Sequence, residues 1–99
     1  MRLDWDLTAQ SYFDQLSPEE RSKVSHAVQR LAADWDGVSE GRLSRLSGDL
    51  QDMYSLRVGA DLRVLLWRRG DVVTIVDIVR RSQVDGLRRL AEAGRAATG

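Results

Sequence analysis

Residues 53–79 read MYSLRVGADLRVLLWRRGDVVTIVDIV, and three apolar runs within this stretch indicate three consecutive β-strands. In the first two runs, residues 53–58 and 62–67, one apolar set alternates with a second set that contains arginine. This period of two is typical of strands with one buried face. Short segments around Gly59 and Gly70 separate the runs and predict tight turns. The stretch therefore predicts an antiparallel meander.

The third run, residues 72–79, is apolar almost without interruption and rich in β-branched side chains. Such a run is typical of a strand that is covered on both faces. We therefore expect this strand to lie in the centre of the sheet. Asp77 interrupts the run, and in a regular strand it shares a face with Val79 and Arg81.

Upstream of the meander, a strand pattern gives way to two helical patterns. Leu3 and Trp5 alternate with polar residues and predict a short first strand. A helix capped by Thr8 is expected next, and its apolar stripe consists of Ala9, Tyr12, Phe13 and Leu16.

The second helix has a complete start signal. Ser17 is an N-cap residue, Pro18 occupies the first helical position, and Glu20 completes a capping box. The apolar spacing continues to Trp35, and the pair at residues 36–37 predicts the helix end.

The remaining segments complete an α+β domain over residues 1–93. Residues 37–52 show no sustained period and predict a loop, residues 84–91 predict a short amphipathic helix, and residues 94–99 predict a frayed tail. The element order is β-α-α-β-β-β-α, with a mainly antiparallel four-stranded sheet and a helical hairpin on one face. Arg57 and Arg63 are expected to project from the uncovered face.

Composition and charge exclude several function classes. The chain has 99 residues, no cysteine and a net charge of zero. The absence of cysteine excludes a disulfide framework and a cysteine-based metal site, and it suits a reducing cytoplasm. No apolar run is long enough to span a bilayer, and we expect no secretion signal. Residues 1–52 hold six basic and ten acidic side chains, whereas residues 53–99 hold nine and five. The C-terminal half is therefore the cationic half.

Four short motifs, in this order and at these gaps, resemble the RelE/ParE superfamily of bacterial toxins. They are Leu46-Ser47-Gly48, the run from Met53 to Gly59, the run from Asp61 to Leu65, and the run from Ile75 to Arg81. The first strand and the helical hairpin also occupy the positions expected for that fold, so the resemblance covers nearly the whole chain.

The resemblance implies the toxin of a type II toxin–antitoxin system, and its RelE branch implies a metal-independent endoribonuclease that cuts mRNA on the ribosome. No cofactor is implied. The matching positions place Arg57, Arg63 and Arg81 around the scissile phosphate. Attack by a ribose 2′-hydroxyl creates a dianionic phosphorane, which fixed guanidinium groups stabilise. The residues expected beside the RNA are Ser55, Trp67 and Arg80.

The sequence departs from this pattern where a general base is expected. Ribonucleolytic members carry tyrosine or histidine near the start of the C-terminal segment, but residues 82–87 contain neither, and no aromatic residue follows Trp67. Ser55 replaces an expected lysine on the first meander strand. Asp77 is a candidate base. The alternative is that its carboxylate forms a structural ion pair with a neighbouring arginine.

Three functions therefore stay open. The first is the ribosome-dependent mRNA endoribonuclease that inhibits translation. The second is a ParE-like inhibitor of DNA gyrase, which needs no catalytic group. The third is an attenuated toxin that acts mainly as a co-repressor with its antitoxin. Each implies an antitoxin partner, and an acidic antitoxin is expected to prefer the cationic C-terminal half.

Overall fold

The computed structural model describes residues 1–46 and 53–81. Its elements, in chain order, are β1 Arg2–Trp5, α1 Leu7–Gln15, α2 Pro18–Ala33, α3 Trp35–Arg42, β2 Leu43–Arg45, β3 Met53–Val58, β4 Leu62–Arg69 and β5 Val72–Arg80. The predicted last helix and frayed tail lie outside the described residues. None of the described helices is long and apolar enough to cross a membrane.

The strands form one sheet in the order β1-β5-β4-β3-β2. The antiparallel meander predicted for residues 53–79 is confirmed as β3, β4 and β5. β1 pairs in parallel with β5, and β2 pairs antiparallel with β3. Because β2 lies in the segment predicted as a loop, the described sheet has five strands rather than four. The third strand of the meander, β5, is an interior strand between β1 and β4, and β4 is central.

Two glycines make the meander turns possible. Gly59 has a φ of 65° and Gly70 a φ of 57°, which is the left-handed region that side chains with a Cβ rarely adopt. Both turns therefore have the residue type that their backbone requires.

The starts of α1 and α2 illustrate one wrong and one confirmed prediction. Asp6, rather than Thr8, caps α1: its Oδ1 accepts a hydrogen bond from the Leu7 N–H at 2.8 Å. Asp6 directly follows β1, so the helix begins as soon as the strand ends. The capping box of α2 is confirmed, because the Glu20 N–H donates to Ser17 Oγ at 3.1 Å and the Ser17 N–H donates to Glu20 Oε1 at 3.4 Å.

The predicted end of α2 at residues 36–37 is wrong. The helix ends at Ala33, and α3 begins at Trp35. Asp34 joins them, because its Oδ1 accepts a hydrogen bond from the Gly37 N–H at 3.1 Å. A Cβ on Gly37 would overlap the Asp34 carboxylate. Gly37 therefore leaves room for the Asp34 carboxylate at the start of α3 and does not terminate a helix.

The core lies between the helices and one face of the sheet. Its buried residues are Ala9, Val24, Val28 and Leu31 from the helices and Leu56, Val58, Leu62, Val64, Leu66, Val73, Ile75 and Ile78 from the strands. Within the described residues, no helix lies on the opposite face of the sheet. We call this second face the open face; on the meander it carries Met53, Ser55, Arg57, Arg63, Leu65, Trp67, Arg69, Val72, Thr74, Asp77 and Val79.

A β-bulge interrupts the regular alternation of β5 within its nearly continuous apolar sequence. Leu65 lies opposite Asp77 whereas Leu66 lies opposite Ile75, so Val76 is an extra residue in β5. Ile75 and Ile78 are three residues apart, and a regular strand would turn them to opposite faces. The bulge lets both enter the core, where they are 0% and 5% exposed. The bulge therefore explains how Ile75 and Ile78 both reach the core, whereas Val72 and Val79 of the same run are half-buried on the open face.

An ion-pair cluster joins the start of α2 to the end of the meander. Arg80 Nη1 donates to Glu20 Oε2 at 3.0 Å and to Asp61 Oδ2 at 2.9 Å. The hydrogen bond from Arg80, together with that from the Ser17 N–H, lowers the pKa of the Glu20 carboxyl below its ordinary value of 4.5. The two carboxylates in turn raise the pKa of Arg80.

We predict that Glu20→Gln lowers the free energy of unfolding at neutral pH, because glutamine retains the capping-box acceptor but removes the charge beside Arg80. A carboxyl with a lowered folded-state pKa stabilises the fold above its unfolded-state pKa, and this contribution is lost as pH falls through the folded-state value. Urea unfolding across a pH series should show the gap between wild type and variant closing in acid. Glu19→Gln is the exposed control, and a gap independent of pH would contradict the prediction.

Candidate functional site

Two arginines lie side by side on the open face. Arg57 of β3 and Arg63 of β4 are directly opposite each other in the strand register. Arg57 is exposed and Arg63 is half-buried, with its Nη1 donating to the Leu62 carbonyl oxygen at 2.9 Å. Side chains paired this way have Cβ atoms about 5 Å apart. The face opposite the helices therefore presents two neighbouring guanidinium groups, as predicted.

This pair is electrostatically suited to an anion. Guanidinium groups offer planar sets of N–H donors that match phosphate oxygens. The register therefore brings together two arginines that are six positions apart in the sequence.

Asp77 is on the same face, one cross-strand pair further along. It lies opposite Leu65, and the next pair on this face joins Arg63 to Val79. The Asp77 carboxylate oxygen Oδ1 accepts a hydrogen bond from the Ile78 N–H at 2.9 Å. Asp77 and Val79 therefore lie on the same face, as expected. The bulge at Val76 lies on the N-terminal side of Asp77.

Trp67 and Arg69 extend the open face toward the other end of β4. The Arg69 guanidinium carbon is 5.6 Å from the centroid of the Trp67 ring. An aromatic ring beside a cation is the combination that binds unpaired bases and their backbone. Arg69 was not among the predicted site residues. The neighbouring Arg68 points to the helix side, where its guanidinium lies 4.5 Å from the Trp35 ring.

The other predicted site residues are dispersed. Arg80 lies opposite Leu62 on the helix side and bonds with Glu20 and Asp61, so it is not brought to the open face. Arg81 follows β5; it is exposed, and its N–H donates to the Asp61 carbonyl oxygen at 2.6 Å. Ser55 faces the open side but is only 6% exposed. Within the described residues, no group of three acidic or histidine side chains is arranged to hold a metal ion.

Comparison with known proteins identifies the architecture. No protein-family model matches the sequence, and no curated protein sequence matches it. Solved structures do match. The toxin–antitoxin complex RelBE2 of Mycobacterium tuberculosis superposes with a TM-score of 0.67 at 20% identity, covering 81% of this chain and 96% of that chain. The YoeB/ParE toxin from Agrobacterium tumefaciens gives 0.64 at 16% identity, with 82% and 99% covered.

A third similar structure is the RelB–RelE antitoxin–toxin complex from Methanococcus jannaschii, with a TM-score of 0.67 at 12% identity over 85% of this chain and 96% of that chain. The chain has the RelE/ParE-type toxin fold. The resemblance seen in the sequence motifs is thus confirmed at the level of the fold. On this RelE-type sheet, Arg57 and Arg63 occupy the open face of the meander.

Mutation of Arg57 should affect stability much less than mutation of the adjacent Leu56. Arg57→Gln is expected to change the free energy of unfolding by less than about 0.5 kcal/mol, because Arg57 is an exposed surface residue. Leu56→Ala should cost about 3 kcal/mol, because Leu56 is 1% exposed and lies in the core. Urea unfolding of both variants tests this; a large loss for Arg57→Gln would assign that residue a structural role.

Proposed function

We propose that this chain is the toxin of a toxin–antitoxin system and that its open face cleaves mRNA on the ribosome. The observation that carries the proposal is the directly paired Arg57 and Arg63 on the open face of a RelE/ParE-type fold. Two of the similar structures are toxins in complex with antitoxins, which supports a toxin neutralised by a protein partner. Such a function belongs in the cytoplasm.

The proposed reaction is an internal transesterification of RNA. The ribose 2′-oxygen attacks the adjacent phosphorus, the bond from phosphorus to the 5′-oxygen of the next nucleotide breaks, and a cyclic phosphate and a 5′-hydroxyl result. The 2′-hydroxyl proton passes to a base, and the leaving oxygen gains a proton. Arg57 and Arg63 bind the non-bridging oxygens and stabilise the dianionic phosphorane, with Arg81 contributing from the end of β5.

Two further open-face residues have roles in this proposal. Trp67, with Arg69 beside it, stacks on a base of the bound strand. Asp77 accepts the 2′-hydroxyl proton, because it is a carboxylate on the same face as Arg63. Ser55 and Arg80, both expected beside the RNA, do not enter this scheme, because Ser55 is buried and Arg80 lies on the helix side.

Cleavage of a defined mRNA on purified ribosomes tests the proposal. Wild type should cut in the decoding site, and Arg63→Ala/Arg81→Ala should lose activity by about a hundredfold or more, since each removed guanidinium stabilises transition-state charge. Arg21→Ala/Lys23→Ala is the matched control, because it removes two positive charges from α2, away from the open face, and it should cut normally.

The same preparations should be assayed for inhibition of gyrase supercoiling. Inhibited gyrase without mRNA cleavage would replace the ribonuclease with a ParE-like function. Inactivity in both assays would favour an attenuated toxin that acts with its antitoxin as a co-repressor.

Asp77→Asn separates the two interpretations of this carboxylate. Asparagine keeps an oxygen that accepts from the Ile78 N–H, so the fold should be retained. If Asp77 is the base, single-turnover cleavage should fall by about a hundredfold or more and lose its acidic pH limb. An unchanged rate and pH profile would show that Asp77 is structural.

A further inference from the structure

The backbone of Arg81 is held by the turn between β3 and β4. Arg81 follows the last residue of β5, and its N–H donates to the Asp61 carbonyl oxygen at 2.6 Å. Asp61 directly precedes β4, and Arg63 lies two residues further along the chain. This hydrogen bond therefore fixes the chain at Arg81 relative to Arg63 of the open face.

The Asp61 side chain is in turn held by Arg80. Arg80 Nη1 lies 2.9 Å from Asp61 Oδ2 and 3.0 Å from Glu20 Oε2, so one nitrogen bridges two carboxylates. Glu20 is itself fixed at the start of α2 by its capping box with Ser17. We call Glu20, Asp61 and Arg80 the Arg80 cluster. Through this cluster, the turn that holds Arg81 is tied to the first turn of a helix.

The exposure of the Arg80 cluster shows what it contributes. The side chains of Arg80 and Asp61 are 45% and 57% exposed, and ion pairs as exposed as this one contribute only modestly to the free energy of unfolding. Asp61, Arg80 and Arg81 are all exposed residues, so core packing does little to fix the chain at this point. Hydrogen bonds and ion pairs therefore determine the geometry of the end of β5.

We propose that Arg80 is a positioning residue for Arg81 in RNA cleavage, acting through the Asp61 turn and anchored by Glu20. This inference rests on the proposed function, in which Arg81 stabilises the transition state and Arg80 does not touch RNA. Donors that stabilise a transition state must be held within about 0.5 Å of the productive position. Loss of the Arg80 cluster releases the chain at Arg81, displaces its guanidinium group and slows the chemical step.

Single-turnover cleavage on the ribosome tests this inference through a double-mutant cycle. Arg80→Gln removes the bridging cation, whereas Asp61→Ala removes a carboxylate partner but keeps the carbonyl oxygen that accepts from Arg81. Each variant should lower the maximal rate by about tenfold. The double variant should also lose about tenfold rather than about a hundredfold, because both changes break the same connection.

The dependence of cleavage on toxin concentration separates positioning from binding. The concentration that gives half of the maximal rate should stay nearly unchanged in each variant. Arg80 contacts no RNA in the proposed function, and Arg81 acts on charge that develops only in the transition state. A raised half-saturating concentration with an unchanged maximal rate would assign Arg80 to binding and overturn the inference.

Amide hydrogen exchange reports on Arg81 independently of cleavage. In both single variants the Arg81 N–H should exchange about tenfold faster or more, because its acceptor is no longer held in place. The amides of Val64 and Ile75, which are buried in β4 and β5, should exchange as in wild type. Equal acceleration at those two residues would show general destabilisation. That result, or an unchanged Arg81 amide, would overturn the inference.

Glu19→Gln/Lys23→Gln is the matched control, because it removes another ion pair of α2, with 3.7 Å between Lys23 Nζ and Glu19 Oε1, outside the Arg80 cluster. It should match wild type in cleavage rate and in exchange at Arg81. If wild type cleaves, a wild-type rate in Arg80→Gln, multiplied losses in the double variant, or an equal loss in the control would overturn the inference. Absence of cleavage by wild type would instead contradict the proposed function, and amide exchange would still decide whether the cluster holds Arg81.

Discussion

The one-sided burial of the meander is the constraint on which the rest of the structure depends. Ile75 and Ile78 are both buried although they are three residues apart, and the extra residue Val76 makes this possible. Burying each isoleucine stabilises the fold by about 2 kcal/mol. The same register leaves Arg57, Arg63 and Asp77 on the open face. The arrangement of the candidate site is thus a consequence of how the core is filled.

Short edge strands leave parts of β5 and β3 uncovered. β1 covers only the first part of β5, and β2 covers only residues 54–56 of β3. The uncovered end of β3 carries Arg57. This residue borders a groove between α2 and α3, and in the strand register it lies opposite Arg63 of β4. A single residue at a free strand edge therefore connects the helix side with the open face.

The distribution of charge in space differs from its distribution along the chain. Residues 1–52 carry an excess of acidic side chains, so the sequence favoured the C-terminal half as the surface for an acidic partner. Yet four basic residues of that acidic half line one groove between α2, α3 and the end of β3: Lys23, His26, Arg30 and Arg42. The helical spacing of the first three was a signal in the sequence, but the contribution of Arg42 depends on α3, most of which was predicted as loop. Net charge of a segment averages over faces that point in different directions, and partners respond to the local face.

By itself, the sequence determined the features that depend on neighbouring residues: the alternation of β3 and β4, the glycines of both turns, and the capping box at Ser17. These need only local backbone geometry and hydrogen bonds within a few positions. Tertiary structure decided the rest. Gly37 leaves room for the Asp34 carboxylate at the start of α3 and does not end a helix. β2 is a strand because β3 pairs with it, and Arg80 forms an ion pair with Glu20, sixty positions away. The pairing of Arg57 with Arg63 and the groove beside Arg57 are of the same kind, because strand register and packing, rather than local pattern, bring distant residues together.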